Sequence, residues 1–142
     1  MSAPRIEHVN VTVRDPERTA TMLEQVFGWQ VRWRGPSQAG GRTVHIGTTD
    51  CYIALYTGRD AAYTADDFMK GRPLNHIGVE VVDLDATEAR VIEAGFTPFS
   101  HGDYEPGRRF YFLDPDGIEF EVISYQPAAA PGAAQSRRLE DA

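Results

Sequence analysis

Polar and apolar residues alternate along two short stretches, His8-Val-Asn-Val-Thr-Val-Arg-Asp15 and His76-Ile-Gly-Val-Glu-Val-Val-Asp83. Period-two alternation of β-branched residues is the pattern of a strand buried on one face. Val9, Val11 and Val13 fall on one side of the first strand, and Ile77, Val79 and Val81 on one side of the second. Successive side chains point to opposite faces, so His8, Asn10 and Thr12 share the other side, as do His76, Gly78 and Glu80. The stretches align His on His and Asp on Asp at a shift of 68 residues, which marks an internal repeat.

Each strand leads into a helix start. Asp15 can cap the first helix, with Pro16 at its first position and Glu17 in the positive first turn. Met22, Leu23, Val26 and Phe27 form its apolar stripe, and Gly28 ends it. In the second copy Asp85 and Glu88 read as a capping box, Ala89, Ile92 and Phe96 as the stripe, and Gly95 as the stop. Three strand-like runs follow each helix: 30–34, 43–48 and 51–56, then 97–101, 109–113 and 118–125. Asp114-Pro115-Asp116-Gly117 is the last hairpin turn. The pattern predicts one α+β domain over 1–126 built of two βαβββ modules, 4–57 and 74–126, with a linker over 58–73. The Ala-, Pro- and Gly-rich stretch 127–142 reads as a flexible tail.

Composition narrows the function. A chain of 142 residues, 42% hydrophobic and 25% charged, can bury a core without disulfide staples. Cys51 is the only cysteine, which excludes an intrachain disulfide and a multi-cysteine zinc site. A net charge of −7 opposes nucleic acid as a partner, since phosphate binding needs a basic face. No apolar run reaches the roughly 18 residues of a membrane span, and the opening residues lack the apolar core of a signal peptide. The expectation is a cytoplasmic protein whose partner is a small molecule, with neither nucleic acid nor membrane involved.

The candidate chemistry starts from the two histidines. One histidine on a strand is ordinarily a hydrogen-bonded structural residue. A second at the equivalent place of a repeat changes that balance, because the imidazoles of paired modules can converge. In the last strand Glu119, Glu121 and Ile123 share a face, between the apolar Ile118, Phe120 and Val122. An acid in so apolar a strand is costly to bury without a positive partner, and a metal ion is the partner expected. His8, His76 and Glu121 make the two-histidine, one-carboxylate set suited to Fe(II), with Mn(II), Ni(II) or Zn(II) as other options. His45, whose strand register is open, is the rival ligand, and His101 falls near a loop and reads as solvated. Cys51 has no evident base beside it, which argues against nucleophilic catalysis. Arg109, Tyr111 and Leu113 share one face of their strand.

The two His-led stretches, with Phe110-Tyr-Phe-Leu-Asp-Pro-Asp-Gly-Ile-Glu-Phe-Glu121, resemble the three signature stretches of the vicinal oxygen chelate superfamily of glyoxalases, bleomycin-resistance proteins and extradiol dioxygenases. The likeness covers residues 6 to about 125. It implies curled mixed sheets forming a cup around a divalent metal ion, with ligand positions at His8, Ala54, His76 and Glu121. Ala54 cannot bind metal, a departure from the four-ligand pattern of glyoxalase I. The remaining three are similar to the sets of extradiol dioxygenases and fosfomycin-inactivating thiol transferases. The resemblance also places Tyr111 in the cup as the catalytic residue, where it would bond a substrate oxygen or donate a proton. Alternation puts Arg109 beside it, suited to an anionic substrate, and Asn10 and Tyr56 are the further substrate-binding candidates. The expected activity is that of a metal-dependent extradiol-type dioxygenase or a lyase/isomerase. The alternatives are a non-catalytic, bleomycin-resistance-like binding protein and a fosfomycin-type thiol transferase. Relatives of this size imply a homodimer whose sites mix modules from two chains.

Overall fold

The computed structural model describes residues 3–37, 40–59, 65–104 and 106–126. The expected tail and the linker residues 60–64 lie outside the described residues. In chain order the elements are β1 (His8–Thr12), α1 (Pro16–Phe27), β2 (Gln30–Pro36), β3 (Arg42–Gly47) and β4 (Tyr52–Thr57). A short 3-10 turn, Ala65–Asp67, precedes β5 (Ile77–Glu80), α2 (Leu84–Glu93), β6 (Phe99–Tyr104), β7 (Gly107–Leu113) and β8 (Glu119–Ser124). One four-stranded sheet has the order β1-β4-β3-β2 and the other β5-β8-β7-β6. In each, the module's first and last strands pair in parallel and the other neighbours antiparallel. These are the two βαβββ modules that the repeat predicts.

The first compact unit comprises Met1–Met69 and the turn Asp114–Gly117, the second Lys70–Leu113 and the chain from Ile118 onward. In the first, α1 covers β3 and β4, burying Ala20, Met22, Leu23 and Val26 with Val44, Ile46, Ile53 and Leu55. The helix ends follow the sequence. Asp15 accepts from the backbone N–H of Glu17 at 3.1 Å and of Arg18 at 3.4 Å, and Gly28 adopts the left-handed φ of 70° that a side chain would resist. The turn closes as expected, with Gly117 at φ 85° donating to Asp114 O at 3.0 Å. Arg14 Nε meets the fully buried Asp116 carboxylate at 2.8 Å.

In the second unit the helix start departs from the expectation. Asp83, not Asp85, caps α2, accepting from Ala86 N at 3.0 Å. Asp83 is the repeat counterpart of Asp15, whereas the Asp85 carboxylate lies 3.0 Å from Arg108 Nη2. The copies share a further device. Thr19 and Thr87 are each 1% exposed, and each hydroxyl donates to its cap residue's carbonyl, at 3.4 and 2.9 Å. Capping at Asp83 turns Leu84, Thr87 and Val91 inward at helical spacing. Ala89 and Ile92, expected in the stripe, are exposed instead. Replacing Asp83 with alanine is expected to cost about 1 kcal/mol, read from the denaturant midpoint. An unchanged midpoint would remove Asp83 from the cap.

His101 is exposed, as expected, but sits in a strand rather than near a loop. It lies inside β6, with Nε2 2.8 Å from Glu88 Oε2 of α2 and its ring stacked on Phe110 at 6.0 Å. The polar run Ser100 to Asp103 carries no apolar alternation; pairing with β7 makes it a strand. Among the described residues no helix is long and apolar enough to cross a membrane.

Candidate functional site

On β7 and β8 alternation and register act together. Tyr111 pairs with Glu121 and Arg109 with Ile123, so the expected face-sharing of Arg109, Tyr111 and Glu121 holds. Glu121 is held from three sides. Its Oε2 accepts from the Tyr111 hydroxyl at 2.9 Å and from Arg109 Nη1 at 3.0 Å, and its Oε1 lies 3.4 Å from His76 Nε2. The ring of His76 meets Tyr111 edge-on at 5.9 Å, and Phe99 stacks on Tyr111 at 6.1 Å. The Arg109 and Glu121 side chains are only 13% and 15% exposed. Arg109 therefore does not reach into solvent from a strand end. Its guanidinium lies over the Tyr104 ring at 4.9 Å, and its Nε and Nη2 are buried without a hydrogen-bond partner.

This setting decides protonation. Burial, then the hydrogen bond to Glu121, pushes the Tyr111 hydroxyl above the usual tyrosine value, so it remains an O–H donor. Burial works against the Arg109 cation, but its hydrogen bond and charge pairing with Glu121 outweigh that and raise its value. The buried acid thus has a positive partner within its own sheet. That revises the expectation that a metal must fill this role.

The equivalent face of the first sheet has different chemistry. Asn10 pairs with Ala54 as Gly78 pairs with Glu121, which confirms Ala54 as the counterpart of the acid. Ala54 is buried, Asn10 exposed and Tyr56 half-buried. His45 pairs with Ala54, settling its register on the same face as His8. The rings form a ladder. His8 stacks on Tyr52 at 4.8 Å, Tyr52 on His45 at 4.6 Å, and His45 meets Trp33 at 5.1 Å. Arg32 caps Tyr52 at 4.5 Å. Burial, then the charges of His8 and Arg32, lowers the His45 value against an opposing Glu7, so His45 sits there as a neutral ring.

Sequence reasoning missed the roles of Trp33 and Arg32, because a register shift between Val31 and Trp33 breaks the alternation of β2. It also passed over Glu119, whose carboxylate accepts from Lys70 Nζ at 2.7 Å and lies 3.8 Å from His76 Nδ1. The signal was present, since Glu119 shares the face of Glu121.

Among the described residues no group of three His, Cys, Asp or Glu side chains is assembled for a metal ion. The second sheet supplies a pair. Donors on perpendicular bonds of about 2.1 Å stand about 3.0 Å apart, so His76 Nε2 and Glu121 Oε1 at 3.4 Å fit adjacent positions on one ion. Their imidazole and carboxylate chemistry suits a borderline divalent metal, and a third donor has to come from elsewhere.

Residues 5–122 match the Glyoxalase/Bleomycin resistance protein/Dioxygenase superfamily, and the chain belongs to that family. No curated protein matches the sequence. Among solved structures, a glyoxylase/bleomycin resistance protein/dioxygenase domain from Frankia sp. EAN1pec is similar at TM-score 0.76 and 25% identity, covering 88% of this chain and 100% of that one. A variant of the fosfomycin resistance protein FosX from Listeria monocytogenes, complexed with Mn(II) and 1S,2S-dihydroxypropylphosphonic acid, matches at TM-score 0.67 and 18% identity, covering 96% and 99%. The antibiotic binding protein TnmS3 from Streptomyces sp. CB03234 matches at TM-score 0.65 and 20% identity, covering 87% and 98%.

Proposed function

We propose that the chain is a divalent-metal-dependent enzyme acting on a small, oxygen-rich, anionic substrate, with His8, His76 and Glu121 as the metal ligands. The observation that carries this reading is Glu121, which faces His76 with one oxygen while Arg109 and Tyr111 hold the other. Fe(II) is the first choice of metal for this donor set, with Mn(II), Ni(II) or Zn(II) as alternatives. When bound, the metal would supply Lewis-acid polarisation and a template for adjacent substrate oxygens. The protein's own residues do the rest. Arg109 offers the N–H donors of its two unengaged, buried nitrogens, Nε and Nη2, to a substrate carboxylate or phosphonate. Tyr111, kept protonated, donates a hydrogen bond or a proton to a substrate oxygen. Asn10 and Tyr56 serve as further substrate contacts. The small phosphonate diol held by the FosX neighbour supports this substrate class.

The reaction favoured is an extradiol-type dioxygenation or a lyase/isomerase step, with fosfomycin-type thiol transfer as an alternative. The working unit proposed is a homodimer, with each site mixing modules of two chains. A second reading has its own support. The Arg109–Glu121 pair neutralises the buried acid unaided, and an antibiotic binding protein shares the fold, as a non-catalytic drug-sequestering protein would.

Anaerobic titration of Fe(II) or Mn(II), then a screen of catechols and 2-oxo acids with O2 and of epoxides with thiols, separates the readings. One ion per site and turnover of an anionic compound are expected. No uptake, with tight binding of an aromatic drug, would establish sequestration instead. With a substrate in hand, Arg109→Met is expected to raise KM for the anion by roughly 10–100-fold, the worth of a charge-assisted hydrogen bond, but not for a neutral analogue. An equal effect on both would remove Arg109 from anion recognition.

A further inference from the structure

The ring of His76 is engaged at both nitrogens. Nδ1 lies 2.8 Å from Asn75 Oδ1, and an amide oxygen can only accept, so this bond requires the proton on Nδ1. Glu119 Oε2 stands 3.8 Å from the same nitrogen. That is too long for a hydrogen bond, yet near enough for its charge to favour a hydrogen there. The Glu119 side chain is 7% exposed and anchored by Lys70, so this charge is buried and fixed in place. Nε2 points the other way, 3.4 Å from Glu121 Oε1, whose charge favours a proton on Nε2 while no ion is bound; the shorter, directional bond to Asn75 is what selects Nδ1. The first module repeats the arrangement one residue before its own histidine, with Glu7 Oε1 3.0 Å from His8 Nδ1. There the carboxylate is 60% exposed and its hold is correspondingly weak.

We propose that Asn75 and Glu119 are positioning residues that fix His76 as the Nδ1–H tautomer and so present Nε2 as its ligand nitrogen; this rests on the metal reading above. Asn75 supplies the directional bond. Glu119 makes the imidazole a stronger donor, as a carboxylate behind a ligating histidine does. Lys70 keeps Glu119 in place.

The test has two readouts. Nitrogen-15 NMR of the metal-free, histidine-labelled protein at about pH 8.5, some two units above the reference imidazole value, reads the His76 tautomer without any metal. The wild type is expected to carry the proton on Nδ1. In the Asn75→Leu, Glu119→Gln double variant the tautomers are expected to mix, and the Kd for Mn(II) to rise by roughly 10–100-fold. Asn75→Asp, which retains an acceptor oxygen, is expected to keep the wild-type tautomer, and circular dichroism confirms that each variant is folded. A proton on Nε2 in the wild type, or a double variant unchanged in both tautomer and Kd, would overturn the proposal. A wild type that takes up no Mn(II) would sink the metal reading alone, leaving the tautomer to decide the positioning.

Discussion

Alanine at His76, Glu121 or His8 is expected to weaken metal binding by on the order of 100-fold or more. A structural zinc site of four donors is worth about 10–16 kcal/mol, or about 3 kcal/mol per donor, and each 1.4 kcal/mol is tenfold. Equilibrium dialysis of each variant against Mn(II) makes the measurement. Full retention in any of the three would remove that residue from the proposed site. His45→Ala is the control. Its ring is neutral and stacked on Tyr52, and its loss is expected to leave metal content unchanged. Loss of metal there would mean that the first module contributes a second nitrogen. The same variants test the proposed dimer. After verified subunit exchange, His8→Ala mixed with Glu121→Ala regains one intact site per heterodimer if sites mix modules of two chains. Continued absence of metal would place each site within one chain.

The second large effect concerns the core beneath the site. Phe112→Ala is expected to cost about 3–5 kcal/mol, the range for a buried phenylalanine removed without collapse of its surroundings. Phe112 is fully buried, stacked on Phe120 at 5.4 Å and tilted against Phe96 at 6.3 Å. At about 3 °C per kcal/mol for a chain of this size, the melting midpoint falls by roughly 10–15 °C. Ile92→Ala is the comparison, since periodicity places Ile92 in the core while the structure leaves it 58% exposed. Its effect is expected to stay within about 0.5 kcal/mol. A large loss from Ile92→Ala would restore the sequence-based stripe, and a small one from Phe112→Ala would remove Phe112 from the core.

Ile92 shows where sequence reading stops. The stripe of α1 was legible because Asp15, Pro16 and Gly28 mark both ends of that helix. On α2, Asp83 and Asp85 are both plausible caps, and choosing the later one selects the wrong face. The repeat held the answer, since Asp83 aligns with Asp15. Local cap chemistry competed with it, and the ion pair from Asp85 to Arg108 is a contact between distant residues that no local pattern contains.

By itself the sequence determined the two βαβββ modules, the family, and the face that carries His76, Tyr111, Arg109 and Glu121. The modules rest on period-two alternation and on a repeat in register, and the family and the shared face on the resemblance of the three signature stretches; all are properties of the chain's own residue order. Only the tertiary structure decided how the buried acid is satisfied. Alternation places Arg109 and Glu121 on one face, but their 3.0 Å contact depends on the β7–β8 register, which the Asp114–Gly117 turn sets. Likewise the ladder of His8, Tyr52, His45 and Trp33 joins one residue from each of four strands, and the irregularity in β2 hides one of its members from any periodic reading. Side-chain periodicity specifies which face a residue takes; pairing between strands specifies which charge or ring it meets there.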